Sequence, residues 1–121
     1  MLATIQAMII IHATIDLKPG KKAEALPQCI EFAKAGLTEP GCTVYLFMQD
    51  LEKTDRLHVL EQWDSNELLN GHMHAPDSEK FAKLMTEWAQ SVAVTRYSVA
   101  GDESDEFRRQ SETLMGDTVK G

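Results

Sequence analysis

The side chains of this sequence best equipped for chemistry are four histidines, two cysteines and a tryptophan closing an apolar run. The stretch Leu57 to Pro76, LHVLEQWDSNELLNGHMHAP, holds Trp63 and three of the histidines. An imidazole ordinarily titrates at about 6.5 and can take a phenolic proton at neutral pH. His72 is the best acid/base candidate, placed about two helical turns beyond an indole at a strand end. That pairing suits a small aromatic ligand, and it equally suits a core tryptophan with a capping or surface histidine. His12 sits on the mixed face of a strand and is expected to look into a central cavity, whereas His58 fits either face. His72 and His74 are two apart, which on a helix turns them roughly 200° from each other, so they do not share an ion. No thiol or carboxylate completes a zinc spacing near them, and no metal site is expected. Cys29 and Cys42 form neither a disulfide framework nor a CxxC motif, and read as buried thiols in a reducing compartment, by default the cytoplasm. There is no GxSxG, no Walker loop and no GxGxxG, so acyl transfer, nucleotide hydrolysis and dinucleotide chemistry have no local support.

The elements that must position these residues follow from hydrophobic period. Ile9, Ile11, Ala13, Ile15 and Leu17 alternate with Ile10, His12, Thr14 and Asp16, a strand that Lys18-Pro19-Gly20 ends. Ala23, Leu26, Ile30, Ala33 and Leu37 then form a helical stripe, with Pro27 predicting a kink or a late start. After Glu39-Pro40-Gly41, a second strand runs from Cys42 to Gln49, apolar in both parities. A third, Arg56 to Trp63, makes a hairpin with it. Asp64 and Glu67 have the spacing of a capping box for a helical region over about Ser65 to Gln90, interrupted near Pro76. Phe81, Leu84, Met85, Trp88 and Val92 follow helical spacing and read as core. A fourth strand covers Ala93 to Val99. The order β-α-β-β-α-β is the split βαβ, ferredoxin-like arrangement, class α+β, with a four-stranded antiparallel sheet. Both helices lie on one face of it. The other face collects some of Ile10, Tyr45, Phe47, Leu60 and Tyr97, an apolar surface that a second copy would cover, giving a homodimer. A ligand cavity is expected beside the sheet, with Tyr45 and Trp63 in its wall.

At 121 residues the chain is of single-domain size, with residues 1–100 as the folded domain and 101–121 as an acidic extension that is a short helix or disordered. Hydrophobic content of 43% and charged content of 26% are those of a soluble globular protein. A net charge of -7 argues against nucleic acid, where lysine and arginine must neutralise phosphates, and neither segment offers a basic face to anionic lipid. The extension carries six acids against three bases. No run is long and apolar enough to span a membrane, and MLATIQAMIIIHATI reads as a strand with a short lead-in, not a signal peptide.

KPG at 18–20, EPGC at 39–42 followed by Tyr45, LEQW at 60–63, HM at 72–73 and Pro76 occur in an order and spacing that resembles the antibiotic biosynthesis monooxygenase (ABM) family of quinol monooxygenase-like proteins. The resemblance runs from about Met8 to Val99. It implies a dimeric α+β barrel of ferredoxin-like subunits and oxygenation of a quinol or hydroxylated polycyclic aromatic by O2, with no cofactor. It makes His72 the base and puts Trp63 in the pocket lining; Tyr45, His12, Phe47 and Met73 are the further residues expected around the substrate. Relatives often carry a second histidine after the proline, followed by an aromatic; Asp77 and Ser78 stand there instead. Strand one lacks the asparagine, and the later helix the histidine, of haem-degrading relatives, so haem degradation is not expected. The same scaffold also admits an isomerase or other small-metabolite enzyme, or a non-catalytic dimeric ligand-binding or stress protein.

Overall fold

The computed structural model describes residues 7–116, so the lead-in before Ala7 and the last five residues lie outside it. The elements are β1 (Met8–Leu17), α1 (Lys22–Leu37), β2 (Cys42–Gln49), β3 (Arg56–Trp63), α2 (Asn66–Met73), α3 (Pro76–Trp88), β4 (Ala89–Val99) and α4 (Ser104–Met115). The strands form one antiparallel sheet in the order β2-β3-β1-β4. This is the ferredoxin-like α+β fold, with the second helix divided in two.

Alternation decides which side of each strand meets the helices. Ile9, Ile11, Ala13, Ile15 and Leu17 of β1 are all buried, as are Leu57, Val59, Glu61 and Trp63 of β3. Strand β2 carries the decisive irregularity. Cys42 pairs with Trp63 and Val44 with Gln62, so Thr43 is an extra residue that shifts the phase of the strand. Beyond it, Tyr45 lies opposite Glu61 and Phe47 opposite Val59. Both rings therefore face the helices, correcting their expected place on the uncovered side. That side carries Leu46 and Met48 instead, with Ile10, Leu60 and Tyr97.

Helix α1 turns a different stripe inward from the one its large residues mark. Ala25, Cys29 and Gly36 are buried, while Ile30 and Leu37 stay 53% and 48% exposed. The reason is distance. A Cβ on Gly36 would stand 2.7 Å from Cδ2 of Tyr45, so the helix approaches the sheet through its smallest residues. The helix begins at Lys22 and contains Pro27 rather than starting after it. Ser65, not Asp64, caps α2: its Oγ accepts from the Leu68 N–H at 3.2 Å. Asp64 is held back in the hairpin end, its N–H donating to the Gly41 carbonyl at 2.8 Å. Pro76 opens α3, where a missing N–H costs nothing. Phe81 and Trp88 are buried, with Leu84 and Met85 packed beside them. Val92 belongs to β4, which starts four residues earlier than its apolar run implies because Ala89 already pairs with Leu17. Within the acidic extension, Ser104–Met115 forms α4.

Candidate functional site

Between the helix side of the sheet and the helices lies a cavity of about 280 Å³. Ile11, Ala13, Val59 and Phe47 form part of its floor, and Phe32, Leu69 and Phe81 part of its roof. The rings of Phe32 and Phe81 stack at 4.1 Å between centroids. Phe32 also meets Tyr45 edge-on at 5.6 Å, one of the arrangements that ring quadrupoles favour. Met73, Val92 and Val94 line the cavity yet are 60%, 43% and 62% exposed, so they mark its mouth. The mouth lies at β4, an edge strand whose helix-side Val92 and Val94 stay exposed.

His72 is the polar centre. It is 7% exposed, and its Nδ1 lies 2.5 Å from Oε2 of Glu39. A carboxylate can only accept, so Nδ1–H donates, and in the neutral ring the lone pair is on Nε2. Among the described residues Nε2 has no hydrogen-bond partner. The Trp63 ring packs 4.7 Å from the imidazole, and the Ser78 hydroxyl donates to the His72 carbonyl at 2.6 Å. Glu39 reaches this place through the turn after α1. Its N–H donates to the Gly36 carbonyl at 3.0 Å, and its own carbonyl accepts from Cys42 at 3.3 Å. Gly41 makes the turn with a φ of 80°, a conformation that costs glycine little. A side chain there would also collide with Leu68 of α2. The helix that bears His72 therefore packs directly on the turn that bears Glu39.

A second carboxyl faces the cavity. Glu61 is 9% exposed and accepts from the Trp63 indole N–H at 3.0 Å. Burial raises its pKa above the ordinary carboxyl value, against the opposing pull of the Trp63 hydrogen bond. Tyr45 stands beside it, and burial, reinforced by the negative Glu61, pushes the phenol far above its usual range. Tyr45 is therefore a neutral donor at any physiological pH. The two thiols are likewise neutral: burial raises both Cys29 and Cys42 to about 11.

Of the residues expected around a substrate, His72, Tyr45, Phe47 and Met73 line this cavity. Trp63 does not. It is fully buried behind the wall and touches the site through Glu61 and His72. His12 is on the wrong side of the sheet. One residue of register separates it from Ile11 and Ala13, so its ring projects from the uncovered face. There it stacks on His58, whose Nε2–H donates to Asp50 at 2.7 Å while Nδ1 accepts from His12 at 2.9 Å. His74 also points away from His72, with Nδ1 2.8 Å from the Asn70 carbonyl, as helical geometry requires of residues two apart. Sequence reasoning misses Glu39 and Glu61. Glu61 has a readable signal, an acid at a parity otherwise filled by Leu57, Val59 and Trp63. Glu39 has none, because it reads as part of a helix-ending turn.

The antibiotic biosynthesis monooxygenase family matches residues 8–84 of this chain. A curated relative from Synechocystis sp., itself uncharacterised, is 28% identical over 93 residues; the match covers 76% of this chain and 63% of the relative's length. Among solved structures, a conserved protein from Methanosarcina mazei is 25% identical with a TM-score of 0.73, covering 78% of this chain and 94% of that one. A protein from Caulobacter crescentus, provisionally described as an antibiotic biosynthesis monooxygenase, superposes at 0.74 with 24% identity, over 80% and 93% of the two chains. One from Deinococcus radiodurans, described in the same provisional terms, gives 0.74 at 21%, over 78% and 94%. With the family matched from β1 into α3 and the fold shared along nearly the whole length of these structures, the chain belongs to the antibiotic biosynthesis monooxygenase family.

Proposed function

We propose that this protein is an oxygenase of hydroxylated aromatics, taking a quinol and O2 to a hydroxyquinone and water. The observation that carries this reading is the Glu39–His72 pair, whose imidazole lines a largely apolar, ring-lined cavity. The chemistry balances without an added reductant. The ring C–H becomes C–OH and the quinol becomes a quinone, releasing four electrons in all. Those four reduce O2, one atom of which enters the ring while the other leaves as water. His72 takes the phenolic proton at Nε2, and Glu39 supports the positive imidazole through Nδ1. The electron-rich anion transfers an electron to O2, and the radicals combine at carbon. The protein's contribution is to fix the ring against Phe32, Phe47 and Phe81, keep water away from the anion and receive the proton. Family membership and the small-molecule size of the cavity support the reading.

The test is to incubate the protein with substituted hydroquinones and naphthohydroquinones under isotopically labelled O2. One O2 consumed per quinone formed, with one labelled atom in the product, is expected. Equal turnover under argon would replace this reading with an isomerase or other small-metabolite enzyme. Ligands that raise the thermal midpoint and are recovered unchanged would make the chain a binding protein.

The active form in this proposal is a homodimer. Leu46, Met48 and Tyr97 on the uncovered sheet face are exposed, and a second sheet laid on them removes that surface from water. Sedimentation should give twice the 13.5 kDa chain mass; a mass that stays at one chain would exclude it.

A further inference from the structure

Glu61 has no task in the proton transfer assigned to His72, yet it is the more unusual group. A buried carboxyl sits on the third strand, between Val59 and Trp63, and lines the same cavity as His72. Among the described residues it closes one hydrogen bond, from the Trp63 N–H to Oε1. The Tyr45 phenol stands near enough to favour the ionised carboxyl, but its geometry closes no second bond, so the other oxygen keeps room for a donor. A carboxyl so placed is costly to bury unless something completes its hydrogen bonds. The lining of the cavity also contains no lysine and no arginine. Its acid and base side chains are Glu61 and His72, and everything else is apolar, aromatic or hydroxylic.

We infer that Glu61 is the specificity-determining residue of this site: it receives a second hydroxyl of the ligand and turns away ligands that carry an anionic group. The ligand is then an uncharged arene with two hydroxyls. One is directed to Nε2 of His72 and the other to Oε2 of Glu61. A cavity of about 280 Å³ is at the small end for ligand sites, which fits one or two fused rings. The second hydroxyl supplies the donor that Glu61 lacks, so an analogue without it leaves a buried acceptor unpaired. A carboxylate on the ring would instead face the buried Glu61 carboxyl, with no lysine or arginine among the described lining residues to offset it. The mouth at Met73, Val92 and Val94 adds no positive charge that could admit it.

This inference rests on the reading of the cavity as a substrate site, but it is tested by binding alone. Under argon, quenching of tryptophan fluorescence reports occupancy beside Trp63. Three probes are compared: naphthohydroquinone, a naphthol lacking the second hydroxyl, and a hydroxynaphthoate bearing a carboxylate. The native protein is expected to bind the diol about tenfold more tightly than the naphthol, and about thirtyfold more tightly than the hydroxynaphthoate. In Glu61→Gln the amide oxygen still accepts from Trp63, so the fold is kept and the thermal midpoint at neutral pH should not fall. Its amide N–H₂ now faces the ligand, and both preferences should shrink to within about threefold. Equal binding of the three probes by the native protein, no binding of any, or preferences unchanged in Glu61→Gln would each overturn the inference. Selective binding with no oxygen uptake would leave it standing while removing the oxygenase reading. Oxygen uptake that is indifferent to the second hydroxyl would do the reverse.

Discussion

His72→Ala is expected to lower kcat for a quinol substrate by about 10²–10⁴-fold, the range over which a positioned general base acts. The substitution removes the one cavity nitrogen free to accept a proton and leaves Glu39 with no ring to orient. Affinity for the ligand should change far less, because most of the surface it meets is apolar. Added imidazole should restore part of the rate, since the substitution opens a hole of the right shape. Glu39→Gln tests the other half of the pair. The amide can donate to Nδ1, which would put the proton on Nε2 and block it as a base, and a loss of about 10–10³-fold is expected. A structural role for the pair predicts a different pattern, lowered stability with kcat intact. Stopped-flow turnover at saturating quinol, with urea unfolding of both variants, separates the two. A kcat within threefold of native for His72→Ala would remove this histidine from the reaction.

Trp63→Ala carries the largest expected cost in stability. The indole is fully buried at the end of β3, against His72, and its N–H is the one bonded donor to Glu61. Loss of a large buried ring costs about 3–5 kcal/mol, and stranding a buried acceptor adds about 1–3 kcal/mol. Small domains have about 5–15 kcal/mol in all, so the variant should be near unfolding at room temperature. Trp63→Phe keeps most of the volume and loses the N–H, so about 1–3 kcal/mol is expected from the unpaired carboxyl. The pH dependence separates packing from charge. Burial raises the Glu61 pKa above its ordinary 4.5, so the folded state binds the proton more tightly than the unfolded one. Stability from this group is therefore greatest at low pH and declines as pH rises from 4.5 through the raised folded value. Removing the N–H that favours the ionised form raises the folded value further. The deficit of Trp63→Phe should thus be full at neutral pH and shrink as the pH is lowered toward 4.5. Urea unfolding across that range measures it, and a pH-independent deficit would mean that Glu61 is not charged where it lies.

Much of the fold was legible in the residues themselves, for a local reason. Period-two alternation in Ile9–Leu17 and Arg56–Trp63, with breaks at Lys18-Pro19-Gly20 and Glu39-Pro40-Gly41, fixes element type and order, because each follows from a few neighbouring side chains. Helix α1 was harder. Its contact with the sheet is set by closeness at Gly36 and Tyr45, so small residues turn inward while Ile30 and Leu37 stay outside. Size in the sequence pointed the other way.

The chain's own order of residues determined that a histidine would stand on a helix just beyond a hairpin, near aromatic side chains. It also determined that an acid would interrupt the buried parity of β3. Tertiary structure alone decided which groups meet. The extra residue at Thr43 swings Tyr45 and Phe47 onto the helix side, and one step of register sends His12 to the other. Glu39 and His72 are 33 positions apart along the chain and become a hydrogen-bonded pair only when α2 packs on the turn after α1. Such pairings rest on distances set by packing across the whole core, and no periodicity along the chain encodes them.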